Sequence, residues 1–498
     1  MRILSIFILC CTIQTACVSA YRAPDDTISD CPEYVDKQEK HFKRYRGPLR
    51  SDLVADAAYP PEGDHAHDLH EYNKILAPKS ASARPIIVRY SEGGDLVSRC
   101  DYSLALNAIK HSAPGKRLTV LVYVHGWNND SGPVSDRLYN YRASALPSAA
   151  NAPASPESCN LIEESGSDYC NFSKLLERHR EKVRPDEAVI GIYLSWKGSS
   201  PIPYLDYFSR RSGADKLSRG QQIPRILGAI ESLRTRRQNT KVIYFGHSMG
   251  ARILYNAVAQ DMLRSIQMAY PEDDTGCHTP KNFEPAHCTY ELVEPTADLV
   301  FLINPAFEAA SYKALDEFRT SNLIFQDDQS PLIVTLQGEG DWPTKTAFAL
   351  AEGVGLLNDP GQSGLRRVSV GHHAKFRTHE LKPDDECVEA NTRAARIEEE
   401  GIFCAGGLNL EAVEGHKNNR TPFIIASIPK NLMPGHSWFR SADEEERINA
   451  DFNDWLSAVI LSVRTPEERA KMSSDAIDMS ISAPDSSLTL SKVPEDPN

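Results

Sequence analysis

The strongest constraint on the fold is a series of short runs that are apolar on both faces and alternate with helix-like segments. The run 118–124 (LTVLVYV) has no polar face, and 188–194 (AVIGIYL) repeats the pattern. So do 242–245, 299–303, 332–336 and 423–426, with a shorter β-branched run at 85–90. A strand that reads apolar throughout is buried on both sides, as in the interior of a parallel sheet. Helical periodicity fits at 103–111, 172–182, 221–237, 251–266 and 442–463. Strands alternating with helices predict an α/β fold, a mostly parallel sheet with helices on both faces. The main body is expected over residues 84–464. An apolar fraction of 41% supplies enough material for one large core.

Three polar stretches interrupt the rhythm, at about 131–170, 268–295 and 360–418. They follow strands, where ligand-binding loops lie, and are candidates for a cap over a site. Residues 21–83 read as a polar arm, and His65, His67 and His70 in it as a solvated loop rather than a metal site. Residues 465–498 read as a disordered polar tail. The net charge of −13 disfavours a nucleic-acid partner, which would need a basic face.

The N-terminus reads as an export signal. Arg2 is followed by an apolar run too short to span a bilayer, and Val18, Ser19 and Ala20 offer a cleavage site after residue 20. The expected location is therefore periplasmic or extracellular. A lipoprotein route through Cys17 is the alternative, weakened by Gln14 where an aliphatic residue belongs; membrane contact is expected only by that route. Of eleven Cys, Cys10, Cys11 and Cys17 would leave with the signal. The remaining eight are an even number, as in a disulfide framework. Spacing pairs Cys159 with Cys170, Cys277 with Cys288 and Cys387 with Cys404, leaving Cys31 with Cys100. Connectivity stays open, because eight Cys allow on the order of 10² pairings. No Cys or His spacing resembles a zinc site.

The residues that point to chemistry are Gly246-His247-Ser248-Met249-Gly250. They follow the strand KVIYF and precede an amphipathic helix, the setting of a nucleophile elbow. Small residues two before and two after let the chain turn sharply enough to lift the Ser248 hydroxyl clear of the sheet. The turn also sets it at a helix N-terminus, where free N–H groups favour negative charge. A second motif, His125-Gly126-Trp127-Asn128-Asn129, directly follows LTVLVYV. A loop after an early strand can donate one oxyanion N–H, the other coming from the residue after the nucleophile. The donors would be Trp127 and Met249; that His125 and Trp127 serve only to pack the loop is the less favoured alternative.

These two segments resemble the α/β-hydrolase superfamily. More narrowly they are similar to a mostly bacterial group with a His-Gly-Tyr-Asn-Asn stretch and a later Ser-Trp pair, matched here by Ser195-Trp196. Trp127 stands where Tyr is commoner, which matters little for a backbone donor. The resemblance spans roughly 84–464. It implies an eight-stranded, mostly parallel sheet and a Ser, acid, His triad in that chain order. The acid should follow LIVTLQ, where Asp341 is the first choice, Glu339 the rival and Glu308 a third. The base should follow the last strand and precede the last helix. His436 meets that condition, whereas His372, His373 and His379 fall earlier and His247 belongs to the elbow.

The expectation is a secreted serine hydrolase of esterase or lipase type, acting on a small-molecule or lipid ester through an acyl-enzyme without cofactor or metal. The same residues would suit a thioesterase, amidase or acyltransferase. A cell-envelope binding protein that has lost turnover is the reading from a different class. Oligomeric state is not legible.

Overall fold

The computed structural model describes residues between 85 and 471, with gaps of which 130–167, 270–291, 388–402 and 438–451 are the longest. The signal, the arm with its histidines, most of the first two insertions and the tail beyond residue 471 lie outside the described residues.

The described chain forms one ten-stranded sheet in the order β1-β3-β2-β4-β5-β6-β10-β7-β9-β8. The strands are β1 (Ile86–Arg89), β2 (Arg117–Val124), β3 (Glu187–Ser195), β4 (Thr240–His247), β5 (Leu299–Ile303), β6 (Ile333–Gly338), β7 (His379–Pro383), β8 (Phe403–Ala405), β9 (Leu408–Ala412) and β10 (Phe423–Ile428). From β1 to β7 in spatial order every neighbouring pair is parallel. The last two pairings, β7 with β9 and β9 with β8, are antiparallel. The helices are α1 (Arg99–His111), α2 (Asp168–Lys182), α3 (Tyr207–Arg219), α4 (Gln222–Arg236), α5 (Met249–Ala269), α6 (Ala309–Thr320), α7 (Phe348–Gly355) and α8 (Phe452–Ser462).

Side-chain alternation along the strands divides the core into two halves. Val242 and Tyr244 of β4 join one cluster, with α1, α3, α4, α5 and α6. Ile243 and Phe245 point the other way and join a second cluster, with α2 and α8. Burying both faces is what makes these strands read as unbroken apolar runs.

The sheet has ten strands where eight were expected: the seven apolar runs form β1 to β6 and β10, and the other three come from 360–418. That stretch contributes β7, β8 and β9, which extend the sheet at one edge. Strand β7 alternates buried His379 and Leu381 with the more exposed Glu380 and Lys382, so its polarity hid its period of two. Lys382 lies 3.0 Å from Glu380 and 3.7 Å from Glu411 on the solvent side. The Cys387–Cys404 disulfide closes this region as expected. Cys170 is also disulfide-bonded. The Cys277–Cys288 pair, Cys31 and Cys159 fall outside the described residues, as does the side chain of Cys100.

The topology also prepares a site. Strand β2 has β3 on one side and β4 on the other. The chain leaves β2 toward β3 but leaves β4 toward β5, so the two loops diverge and open a crevice at the strands' carboxyl ends. Val124 pairs with Gly246, so residues 125–127 and 247–248 leave the sheet side by side.

Candidate active site

Ser248 sits in that crevice, between the end of β4 and the start of α5. Its φ is +54°, in the left-handed region that few side-chain-bearing residues occupy. The surroundings hold it there. Its N–H donates to the Ile303 carbonyl at 2.9 Å, and its own carbonyl accepts from Ala306 N at 3.0 Å and Ala251 N at 3.1 Å. The flanking glycines are required by packing. A methyl on Gly246 would stand 2.6 Å from Ala251 Cα, and one on Gly250 would stand 2.1 Å from the Val124 carbonyl oxygen. Met249 opens α5, whose first N–H groups have no acceptor within the helix.

His436, after β10, brings its Nε2 to 2.7 Å from Ser248 Oγ. Its Nδ1 lies 2.8 Å from Asp341 Oδ1. Ser248, His436 and Asp341, named separately from the sequence, therefore form one chain of hydrogen bonds. Asp341 is fully buried, and its carboxylate is well supplied with donors. Gln337 Nε2 donates to Oδ2 at 3.0 Å, Thr344 Oγ1 donates to the same oxygen, and Thr344 N donates to Oδ1 at 3.2 Å. Burial alone would raise its pKa; the His436 charge and the Thr344 bonds outweigh burial and hold it below the usual carboxylate range.

The rival residues lie elsewhere. Glu308 pairs with Arg211 and Arg252. Glu339 is exposed. His372 Nε2 meets Thr344 Oγ1 at 3.1 Å, so it stands behind the acid and not beside the serine. His379 bonds Thr378 Oγ1 at 2.8 Å. His373 packs on Phe376.

The loop after β2 lies directly against the elbow. A methyl on Gly126 would stand 2.8 Å from Ser248 Cβ. His125 is buried and accepts Trp196 N–H on Nε2 at 3.0 Å, while Trp196 Nε1 donates to the His125 carbonyl at 2.8 Å. Because Nε2 accepts, the ring proton sits on Nδ1 and donates to the Gly126 carbonyl at 2.8 Å. Burial pushes the His125 pKa down to about 4, so the ring is neutral. His125 and Trp196 thus lock this loop to β3, which is the packing role foreseen for His125. The Trp127 ring meets Tyr207 edge-on at 6.0 Å. Asn129 donates to the Trp127 carbonyl at 3.3 Å and accepts Asp168 N–H at 3.0 Å.

Sequence reasoning missed Thr344, Gln337, Asn304 and Asp168, and named Asn129 only as part of its motif, without a role. Gln337 left a trace, as the polar end of an apolar strand. Asp168 left none, being one acid among many in a polar stretch. Among the described residues no group of three or more His, Cys, Asp and Glu could hold a metal ion, and no helix is long and apolar enough to cross a membrane. No family model matches the chain, and no curated protein matches it significantly.

Proposed function

We propose that the chain is a serine hydrolase built on the α/β-hydrolase fold and that it cleaves carboxylic esters through an acyl-enzyme. The observation that carries this reading is the pair of contacts at His436, 2.7 Å to Ser248 Oγ and 2.8 Å to Asp341 Oδ1. They join a serine on a turn with positive φ to a carboxylate buried behind the imidazole.

Each step uses groups of the chain itself. His436 Nε2 takes the Ser248 proton as Oγ attacks the ester carbonyl. Asp341 holds the Nδ1–H tautomer and stabilises the imidazolium that forms. The N–H groups of Trp127 and Met249 receive the oxyanion. The imidazolium then gives its proton to the leaving alkoxide, and the ester C–O bond breaks. Water, activated by the same imidazole, hydrolyses the acyl-enzyme and restores Ser248. The Cys387–Cys404 disulfide supports an oxidising compartment, in keeping with export directed by residues 1–20.

A fluorophosphonate probe tests the reading. The full chain should be labelled, Ser248→Ala should not, and the same variant should lose hydrolysis of p-nitrophenyl butyrate while keeping its circular dichroism spectrum. Absence of labelling in the folded parent protein would favour a binding protein on this scaffold.

A further inference from the structure

A second buried imidazole–carboxylate pair lies beside the first, and the proton transfers above do not use it. It consists of His247, on the elbow, and Asp168, at the start of α2, whose side chains are 2% and 0% exposed. His247 Nδ1 is 2.9 Å from Asp168 Oδ2, and His247 Nε2 is 2.9 Å from the backbone carbonyl oxygen of His436. The carbonyl can only accept, and so can Asp168, whose pKa is held below the ordinary carboxylate range and which is therefore ionised. A neutral imidazole has one N–H, and would leave a buried nitrogen lone pair facing an oxygen lone pair. Only the doubly protonated ring satisfies both contacts.

The same carboxylate oxygen accepts the Gly126 N–H at 2.7 Å, so Asp168 ties the elbow to the loop that faces it. The His436 carbonyl takes a second donor, Asn304 Nδ2 at 2.8 Å. Asn304 is fully buried at a φ of +43° and accepts Gln337 Nε2 and Gly338 N at 3.1 and 2.8 Å. Gln337 in turn reaches Asp341. The backbone of the residue that carries the base is thus gripped from the ends of β4 and β5, and its ring from the loop after β6.

We infer that His247, kept as an imidazolium by Asp168, is a positioning residue that fixes the His436 main chain so that its ring stays in proton-transfer reach of Ser248. The inference rests on the serine-hydrolase reading. The titratable groups facing His247 are Asp168 from α2, His125 from the loop after β2, Asp341 from the loop after β6, and His436. Burial pulls the His247 pKa down, but Asp168, the His436 carbonyl and Asp341 together raise it above the ordinary imidazole range. Asp168 is likewise pushed up by burial and pulled below its ordinary range by His247 and the Gly126 N–H. With the His247 pKa raised, the charged ring and both of its contacts persist to higher pH than an ordinary imidazole would allow, and the two can no longer be satisfied together once pH rises through the raised value.

The test compares pH profiles of kcat for p-nitrophenyl butyrate hydrolysis and of fluorophosphonate labelling rate in the parent, Asp168→Asn and His247→Ala. Asp168→Asn keeps the shape but removes the countercharge, so burial should win. The alkaline fall in kcat should move to lower pH by roughly one unit or more. His247→Ala should slow labelling on the order of 10²-fold, the scale of a small misplacement of the base. A charge-neutral structural role would lower rates without moving the profile. Ring ¹⁵N NMR of the Ser248→Ala protein gives a readout independent of turnover: His247 should carry protons on both nitrogens at pH 7. A single proton there, or a parent-like profile in folded Asp168→Asn, overturns the inference. A folded parent that the probe does not label overturns the hydrolase reading instead, and the NMR result still decides the charge on His247.

Discussion

Replacing Gly126 by alanine tests how closely the loop after β2 sits against the elbow. The new methyl would stand 2.8 Å from Ser248 Cβ, 3.0 Å from His247 Nδ1 and 3.1 Å from the His247 carbonyl oxygen. Ordinary contact begins at 3.4 Å, so the closest pair is about 0.6 Å short. The elbow cannot yield that distance. Ser248 is bonded on both sides to Ile303 and Ala306, and the His247 ring is held by Asp168 and the His436 carbonyl. The loop must move, stretching the 2.7 Å bond from Gly126 N to Asp168 and withdrawing the Trp127 N–H, the proposed oxyanion donor, by a similar amount. An overpacked methyl costs about 1–3 kcal/mol, against a total stability of about 5–15 kcal/mol, so the variant should fold. Complete loss of an oxyanion donor lowers kcat by about 10²–10³-fold. A donor displaced by half an ångström is weakened and not removed, which gives about 10–10²-fold in kcat with KM little changed. Steady-state hydrolysis of p-nitrophenyl butyrate beside a thermal melt reads both quantities. A folded Gly126→Ala protein with kcat within about a factor of two of the parent would refute the reasoning, since this loop would then not face the developing charge.

Gly228 makes the opposite prediction. It lies within α4, and a methyl there meets nothing within 4 Å. Gly228→Ala should stabilise the protein by about 0.5–1 kcal/mol, seen as a higher urea midpoint; a lower midpoint would contradict the free space around it. Opening the Cys387–Cys404 bridge releases a link across a sequence separation of 17. Cys387→Ser/Cys404→Ser should cost about 3 kcal/mol and lower Tm by several degrees, and an unchanged Tm would show that the hairpin holds without it.

The parallel core was legible because burial on both faces leaves an unmistakable run of apolar residues. The sequence segments 299–303 and 118–124 coincide with or fall just inside β5 and β2. The edge strands were not legible, because β7 turns one side to water and β9 carries Asn409 and Glu411 between its apolar residues, so both look like a polar insertion. Helix α3 escaped for a related reason. Its buried side includes Arg210, which bonds the Lys197 carbonyl at 3.1 Å, so a charge occupies a position that periodicity reserves for an apolar residue. In the site, Ser248 and Gly250 announced themselves through local backbone need. His436 and Asp341 followed only from their order relative to the strands. Asp168 and Asn304 could not be found, since their meaning lies in contacts across 79 and 132 residues of chain.

The two imidazole–carboxylate pairs share their chemistry and differ in what the second ring nitrogen faces. His436 Nε2 faces the Ser248 hydroxyl, which can donate or accept, so either charge state of the ring finds a partner. That ring is also 23% exposed, so solvent can follow its change of charge. His247 Nε2 faces a carbonyl, which only accepts, and its ring is 2% exposed. A group that must gain and lose a proton in each cycle needs the first environment, and a group that must stay fixed while its neighbour reacts needs the second. With Asp168 and Asp341 both ionised, the site carries two buried negative charges, and on the inference above His247 offsets one of them at pH below its raised pKa. In the proposed mechanism the other remains for the moment when His436 becomes charged, so the stabilisation would be greatest when the proton has left Ser248.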